Sequence, residues 1–187
     1  MSGYFRLRDD MRIPGRWMLG SPTDVQGHEV DPWQFSNGRP LDVQGKIRFQ
    51  VEVAGQSLDF SLDTLAIPVV NGRVVALFEK LGIQEVQFIP VEVEGQREPW
   101  FILNTLRSIR CIDDAQCEEV KYWKPEDGQP EKVGEYRVVS GMRIDPAKVG
   151  DARIFRPWGW EVALVVSEEL KEAMTREGIT GTKFVPV

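Results

Sequence analysis

The sequence predicts an α+β fold, mainly antiparallel sheet with two or three short helices, in a single domain of 187 residues. Three observations support this prediction. One segment of the chain is nearly repeated, several segments alternate apolar and polar residues as half-buried strands do, and the helical patterns run for only a few turns.

The near-repeat aligns residues 69–91 with residues 165–187 without a gap. Seven of the twenty-three positions are identical, where about one or two would be expected from average residue usage. The shared positions are a Val-Val pair, a Gly-Ile pair and a Phe-x-Pro-Val ending. Because these features mark a strand end, a helix stop and a second strand, we predict two similar strand–helix–strand units that superpose.

Each copy carries the signals of one helix. Asn71 and Ser167 are the expected N-caps, and Gly82 and Gly178 are the expected stops. The apolar faces predicted to pack on sheet are Val74, Leu77, Phe78 and Leu81 in the first copy and Leu170, Ala173 and Met174 in the second. The copies diverge at positions that we expect to lie on different surfaces: Gly72-Arg73 against Glu168-Glu169, and Glu85 against Gly181.

Alternating patterns predict the remaining strands. A strand over 46–53 is expected to form a hairpin with 58–62, and a strand over 86–93 a second hairpin with 100–103. An acidic connection is expected over 113–135. Further strands are predicted at 136–144, around 154–155 and at 160–166.

Residues 1–45 are dense in proline and glycine, which excludes long helices there. They also contain aromatic residues, which disordered segments lack. We therefore predict an irregular N-terminal arm over 1–45, packed on a body formed by 46–187. Its expected anchors are Tyr4, Phe5, Trp17, Trp33 and Phe35.

Composition describes an ordinary soluble protein of net charge −6. That balance argues against a nucleic-acid binder that neutralises phosphates. No apolar run is long enough to cross a bilayer, and the N-terminus lacks the apolar core of a signal peptide, so we expect no membrane association and a cytoplasmic location. In that compartment Cys111 and Cys117 are expected to be free thiols.

The sequence offers little for catalysis. His28 is the only histidine and lies in a loop-rich region, and two cysteines with one distant histidine do not make a zinc site. Phosphate-binding glycine motifs and the nucleophile-elbow motif are missing. We therefore predict a protein without enzymatic activity, metal or cofactor. An acid–base hydrolase built on carboxylates stays open as a less favoured alternative.

Loop aromatics are the remaining candidates for function. Trp33 and Phe35 lie in the arm, and Trp158 and Trp160 flank a glycine near the C-terminus. Exposed aromatic rings in loops are typical binding anchors. We predict these four residues as partner-binding, with Trp158 the most exposed. The alternative is that all four rings pack in the core.

Six segments carry a recognisable pattern: the C-terminal run 164–173, Gly178 to Phe184, Phe88 to Val91, Trp100 to Leu106, Cys111 to Asp113 and Ile154 to Arg156. Together they resemble the eleventh immunity-protein family of bacterial polymorphic toxin systems. The resemblance covers about residues 60–187. It implies a cytoplasmic protein that protects its producer or kin by binding and blocking a toxin delivered by contact-dependent or type VI secretion, and it brings no catalytic residues.

Two other possibilities follow from the residues. The chain would also suit a small-molecule or peptide-binding module in which the arm closes over the sheet. A homo-oligomer is possible because residues 184–187 form a short apolar strand that could be a sheet edge, although Pro186 limits its pairing.

Overall fold

The computed structural model describes residues 3–187 and confirms the α+β class, with 17% of residues helical. Its strands are β1 (Tyr4–Asp9), β2 (Met18–Thr23), β3 (Ile47–Val53), β4 (Phe60–Leu62), β5 (Pro68–Asn71), β6 (Val86–Val93), β7 (Trp100–Thr105), β8 (Ser108–Ile109), β9 (Glu119–Tyr122), β10 (Tyr136–Ser140), β11 (Ile154–Pro157), β12 (Val165–Ser167) and β13 (Thr182–Pro186). Its α-helices are α1 (Gly72–Lys80) and α2 (Glu168–Arg176). Short 3-10 helices lie at Pro32–Ser36, Pro125–Asp127, Pro130–Lys132 and Pro146–Lys148.

Within residues 3–187 the strands form two main sheets and one small one. The larger sheet has the order β2-β3-β6-β7-β5-β4, and the second has the order β13-β1-β12-β11-β8. Strands β9 and β10 pair only with each other. Strand β13 lies at an edge of the second sheet. It contains the apolar residues through which we considered that a homo-oligomer could form. All neighbours are antiparallel except the pairs β3–β6 and β8–β11.

The repeated segments adopt the same strand–helix–strand order, and each encloses one antiparallel strand. In the first unit β7 lies between β5 and β6, and in the second β1 lies between β12 and β13. Each unit also carries one antiparallel strand outside, β4 on β5 and β11 on β12. In the first unit the central strand, β7, comes after the repeated segment in the chain. In the second unit the central strand, β1, comes from the N-terminal region. The two units are therefore related by a circular permutation.

The helix signals are confirmed in both units. The side chain of Asn71 accepts a hydrogen bond from the N–H of Arg73 at 3.1 Å, and that of Ser167 accepts one from Leu170 at 3.3 Å. Gly82 and Gly178, just beyond each helix, have φ of +63° and +66°. Glycine adopts this left-handed conformation without the steric cost that a Cβ brings, so both helices end there.

One hydrophobic cluster joins the two units. The buried faces of both helices contribute to it: Val74, Leu77 and Phe78 from α1, and Leu170, Ala173 and Met174 from α2. Strands of both sheets complete it, and Leu81 is partly buried against it. Each fully buried side chain of this size contributes about 1.5–3 kcal/mol. The predicted helix faces are therefore what holds the two units together.

Glu85 and Gly181, one of the pairs at which the copies diverge, form contacts between the units instead of separate surfaces. Asp59 and Arg153 are equivalent, each one residue before the outer strand of its unit, and their carbonyls accept from the N–H of Asn71 and Ser167 at 3.1 and 2.9 Å. Arg153 then donates to the carbonyls of Leu81 and Gly82 at the end of α1. Its Nε lies 3.8 Å from the carboxylate of Glu85.

The counterpart of Glu85 is Gly181, which lies against Phe60. A Cβ at Gly181 would come within 2.0 Å of the carbonyl oxygen of Phe60. At this position the first unit therefore has a carboxylate, Glu85, that pairs with Arg153 of the second unit. The second unit has Gly181, which lets its backbone come close to Phe60 of the first unit.

The prediction of an irregular arm is wrong for part of residues 1–45. Strand β1 is the centre of the C-terminal unit's three strands, where Tyr4 and Leu7 are buried. Strand β2 is an edge strand with irregular register, a position that tolerates its Pro22. Between β2 and β3 only the 3-10 helix Pro32–Ser36 is regular, as expected. The proline and glycine residues interrupt the segment without preventing its strands from pairing with distant parts of the chain.

One of the two predicted hairpins is also wrong. Strand β3 pairs with β2 and β6, while β4 pairs with β5, so residues 46–53 and 58–62 do not form a hairpin. The hairpin of β6 and β7 is confirmed, with Val86 opposite Thr105. The acidic connection contains strand β9 and two of the 3-10 helices.

Candidate functional site

The two arm aromatics point in opposite directions. Both lie on the 3-10 helix Pro32–Ser36, which Asp31 caps by accepting the N–H of Trp33 at 3.0 Å. Phe35 is 1% exposed and packs in the core, so its ring does not offer the contact surface that we expected. Trp33 is 65% exposed. Phe35 thus anchors a short helix that presents Trp33 to solvent.

The C-terminal tryptophans are less exposed than predicted. Trp158 is half-buried, and the guanidinium of Arg110 lies 3.8 Å from the centre of its ring. Trp160 is half-buried against a cluster formed by β11, β12 and the preceding loops. Trp33, and not Trp158, is therefore the most exposed of the four predicted residues.

A five-residue turn, residues 63–67, connects β4 to β5 beside Trp33. Oδ1 of Asp63 accepts the N–H groups of Leu65 and Ile67, both at 2.8 Å. Ala66 has φ of +62°, and among residues 3–187 it is the sole non-glycine residue with positive φ. A Cβ in this conformation costs about 1–2 kcal/mol. Backbone strain of this kind tends to occur at functional sites.

On one side of this turn lies a narrow crevice. Trp33, Leu65 and Val162 line it together, with Phe35 and Arg156. Val162 belongs to the loop between β11 and β12, which is the second unit's equivalent of the 63–67 turn. The crevice has a volume of about 20 Å³, which is room for roughly one water molecule. The crevice therefore joins the equivalent loops of both units at a surface, and it is too small for an organic ligand.

On the other side of the turn lies a wider cleft of about 270 Å³. Met11 and Met18 line it together with Leu62, Asp63 and Arg16. Ala66 lines both the cleft and the crevice, so the two depressions are adjacent. The turn is the ridge between them.

The ridge and its two depressions define what we call the 63–67 face. Nine large apolar residues are exposed in residues 3–187, and five of them line this face: Met11, Met18, Trp33, Leu65 and Val162. Single exposed apolar residues are normal, but a contiguous group of them marks an interaction surface. The other four are distributed elsewhere, namely Val25, Val53, Tyr122 and Val133.

Two buried charges lie beside this face. Burial raises the pKa of Asp63 to about 6, against the opposing effect of the N–H groups that it accepts. Burial lowers the pKa of Arg156 to about 10. Nη1 of Arg156 donates to the carbonyl of Glu161 at 2.7 Å and so holds the loop that carries Val162. Both groups are ionised at pH 7.5.

A wider depression of about 730 Å³ lies elsewhere and has a charged lining. It runs along β3 and β6, where Glu92 already pairs with Lys46 and Arg48 at 3.0 and 2.8 Å. Ligand pockets of this size are mostly apolar with few polar groups. This depression therefore does not resemble the deep apolar pocket that the small-molecule alternative requires.

The residues that could take part in catalysis or bind a metal do not come together in one site. His28 is exposed and pairs with Asp24, and residues 3–187 contain no group of three potential metal ligands. Cys111 and Cys117 are unpaired. Asp59 and Asp63 are the buried carboxylates, and their oxygens bind Arg73 and turn N–H groups. No helix within the described part of the chain is long and apolar enough to cross a membrane.

Comparison with known families decides the broader identity. The model of the immunity protein family Imm11 matches residues 3–187, which is nearly the whole chain. The chain belongs to the Imm11 immunity protein family. The match extends the resemblance seen in residues 60–187 to the N-terminal region, in agreement with the central position of β1. Among curated proteins, none matches this Imm11 chain significantly.

Sequence reasoning found only one residue of the exposed face of this Imm11 protein, Trp33. It missed Met11, Met18, Leu65 and Val162, which come from four separate segments. The available signal was an apolar residue inside a short polar turn, as in Asp63-Thr64-Leu65. Such a residue has no neighbouring element to cover it unless the tertiary fold supplies one.

Proposed function

We propose that this Imm11 protein binds and neutralises a bacterial toxin by occluding it with the 63–67 face. The observation that carries the proposal is the group of five exposed apolar residues around one strained turn. Family membership supports a role in immunity. The protein acts without catalysis, in the cytoplasm, on a toxin of a polymorphic system such as one delivered by type VI secretion.

The geometry of the face suits a protein partner. Binding energy at interfaces comes from a few large anchors, most often tryptophan, tyrosine and arginine. Trp33 is such an anchor, and the capped 3-10 helix beneath it fixes its backbone before binding. A preorganised anchor loses less conformational entropy on association. Leu65 and Val162 line the crevice beside it, and on binding they would exclude water from the edge of the ring.

Co-expression with the toxin candidate encoded by the adjacent gene tests the proposal. We expect the two proteins to co-purify and the producing cells to survive. Trp33→Ala and Leu65→Asp should each weaken binding at least tenfold and reduce protection. Val133→Asp is the matched control for Leu65→Asp, because Val133 is similar to Leu65 in exposure but lies outside the face.

Two results would contradict the proposal. One is the absence of both co-purification and protection with every toxin candidate encoded nearby. The other is a complex that Trp33→Ala and Leu65→Asp leave intact, since the interface would then lie elsewhere on the molecule.

A further inference from the structure

We propose that the cleft beside the 63–67 turn receives a lysine or arginine side chain of the partner protein, with Asp63 as the acceptor of its charged group. This inference rests on the proposed function, because it specifies the chemistry of the toxin surface that meets the 63–67 face.

The first observation is an unused acceptor. Asp63 is 7% exposed and lines the cleft, and its Oδ1 already accepts two backbone N–H groups. Its Oδ2 is buried and has no hydrogen-bond partner within residues 3–187. A buried carboxylate oxygen without a donor is unfavourable, so a donor from outside the chain would be bound strongly.

The second observation is that the neighbouring cation is already occupied. Arg16 lines the same cleft, but its Nε donates to the carbonyl of Trp17 and its Nη1 to that of Asp10, at 3.1 and 3.0 Å. Its Nη2 pairs with Asp9 at 3.2 Å. The charges of Arg16 and Asp9 therefore compensate each other, and Arg16 does not compensate the negative charge of Asp63.

The remaining charges near Asp63 also favour a cation. The carboxylate of Glu52 is close enough to raise the pKa of Asp63. With Arg16 and Asp9 balanced, the cleft and its surroundings carry net negative charge. The net charge of −6 on the chain steers a basic surface in the same direction.

The third observation is the apolar wall. Met11, Met18, Leu19 and Leu62 line the cleft, whose volume of about 270 Å³ suits one long side chain. Lysine and arginine have aliphatic stems that pack on apolar surface while the charged end reaches a polar group. Methionine side chains are flexible and adapt to an inserted group. The lining thus matches both parts of a basic side chain.

A purely structural role does not account for this arrangement. Holding the turn needs only the Oδ1 acceptor, which an asparagine would supply equally well. The carboxylate adds a second oxygen, Oδ2, that has no hydrogen-bond partner within residues 3–187, and a charge that burial disfavours. Asp63→Asn therefore separates the two roles, because it preserves the acceptor for the turn and removes the charge.

A probe that mimics the end of lysine tests the cleft without the toxin. The purified protein is titrated with n-butylammonium at constant ionic strength, and the carboxyl carbon of Asp63 is followed by NMR. We expect saturable binding in the millimolar range typical of a small fragment, a lower pKa of Asp63 in the bound state, and no response in Asp63→Asn. n-Pentanol, the uncharged analogue, should leave the Asp63 signal unchanged. An unresponsive Asp63 signal, or an equal response to pentanol, would overturn the inference.

A second measurement uses the toxin once it is captured. The affinity of the wild-type protein should rise by up to about tenfold between pH 5 and pH 7.5, as Asp63 ionises, whereas that of Asp63→Asn should stay flat. Asp24→Asn, at a half-buried acid of the 24–28 loop outside the 63–67 face, is the control and should behave as wild type. If the toxin binds both Asp63 forms equally, the inference fails and the proposed function stands. If n-butylammonium binds Asp63 but no toxin is captured, the proposed function fails instead.

Discussion

Nη1 of Arg73 lies 2.6 Å from Oδ2 of Asp59, and this ion pair ties the start of α1 to the residue that precedes β4 in the same structural unit. The same carboxylate accepts the side-chain amide of Asn71 at 2.7 Å and the N–H of Thr180 at 2.9 Å. Nη2 of Arg73 also donates to the carbonyl of Glu177, at the end of α2. One buried aspartate thus links the beginning of one repeat helix to the end of the other.

Replacing this aspartate should destabilise the fold. Asp59→Ala removes an acceptor used by three donors and leaves the N–H of Thr180 without a partner, so we expect a loss of about 2 kcal/mol or more in the free energy of unfolding. Urea denaturation measures it. Glu92→Ala is the control, because Glu92 pairs with two cations on open surface and its removal should change stability little. Equal effects of the two substitutions would contradict the assigned role of Asp59.

The two glycines that follow α2 should respond differently to alanine. Gly178→Ala places a Cβ at φ of +66° with no atom within 4 Å, so it should cost about 1 kcal/mol from backbone strain. Gly181→Ala combines φ of +95° with a Cβ 2.0 Å from the carbonyl oxygen of Phe60, and should cost considerably more. Thermal unfolding compares them. A smaller loss for Gly181→Ala would show that the units do not approach as described.

Asp63 should make stability depend on pH in a defined direction. Because its pKa is raised from 3.8 to about 6 in the folded protein, its stabilising contribution is fully present below about pH 3.8 and is lost as the pH rises through 6. Relative to Asp63→Asn, the wild type should therefore lose about 2–3 kcal/mol between pH 4 and pH 7. Urea denaturation of both proteins at the two pH values measures this difference.

Asp24 provides a control of opposite sign. Its pKa is lowered, first by the N–H of His28, so its contribution is present above its unfolded pKa and is lost as the pH falls through the folded one. The wild type should gain stability relative to Asp24→Asn as the pH rises from acid. A parallel pH dependence for Asp63→Asn and Asp24→Asn would contradict the burial of Asp63.

The two thiols should differ in reactivity. Burial raises the pKa of Cys111 to about 12, and its side chain is inaccessible. Cys117 is partly exposed, and its pKa is raised mainly by burial. A disulfide reagent at pH 8 should therefore modify Cys117 slowly and Cys111 only after unfolding. Mass spectrometry of the native protein checks this, with Cys117→Ser as the control. Rapid modification of Cys111 in the native state would refute its placement.

Local patterns predicted the elements that local interactions control. The helices are capped by Asn71 and Ser167 and are followed by Gly82 and Gly178, because capping and left-handed conformation depend on residues within one turn. The hairpin of β6 and β7 followed from two apolar runs around Glu94-Gly95-Gln96 for the same reason. Strand β3 was found, but its neighbours were not, since an alternating strand pairs equally well with any matching partner.

Strand β1 shows where local reasoning fails. Its residues Tyr4 and Leu7 are buried only because β12 and β13, more than 150 residues away in the chain, pair with both of its edges. The proline and glycine residues that follow it suggested an irregular segment. The proline and glycine residues determine the loops that connect the strands, but they do not determine which strands pair with each other.

For the candidate site, the sequence by itself determined the repeat and the helix ends, and it singled out Trp33 as a candidate. Only the tertiary structure decided that Phe35 is buried while Trp33 is exposed, and that Leu65 and Val162 meet beside it. The physical reason is that caps and turns depend on neighbours in the chain, whereas exposure depends on which distant segments cover a side chain. The 63–67 face exists because the circularly permuted units bring their equivalent loops together.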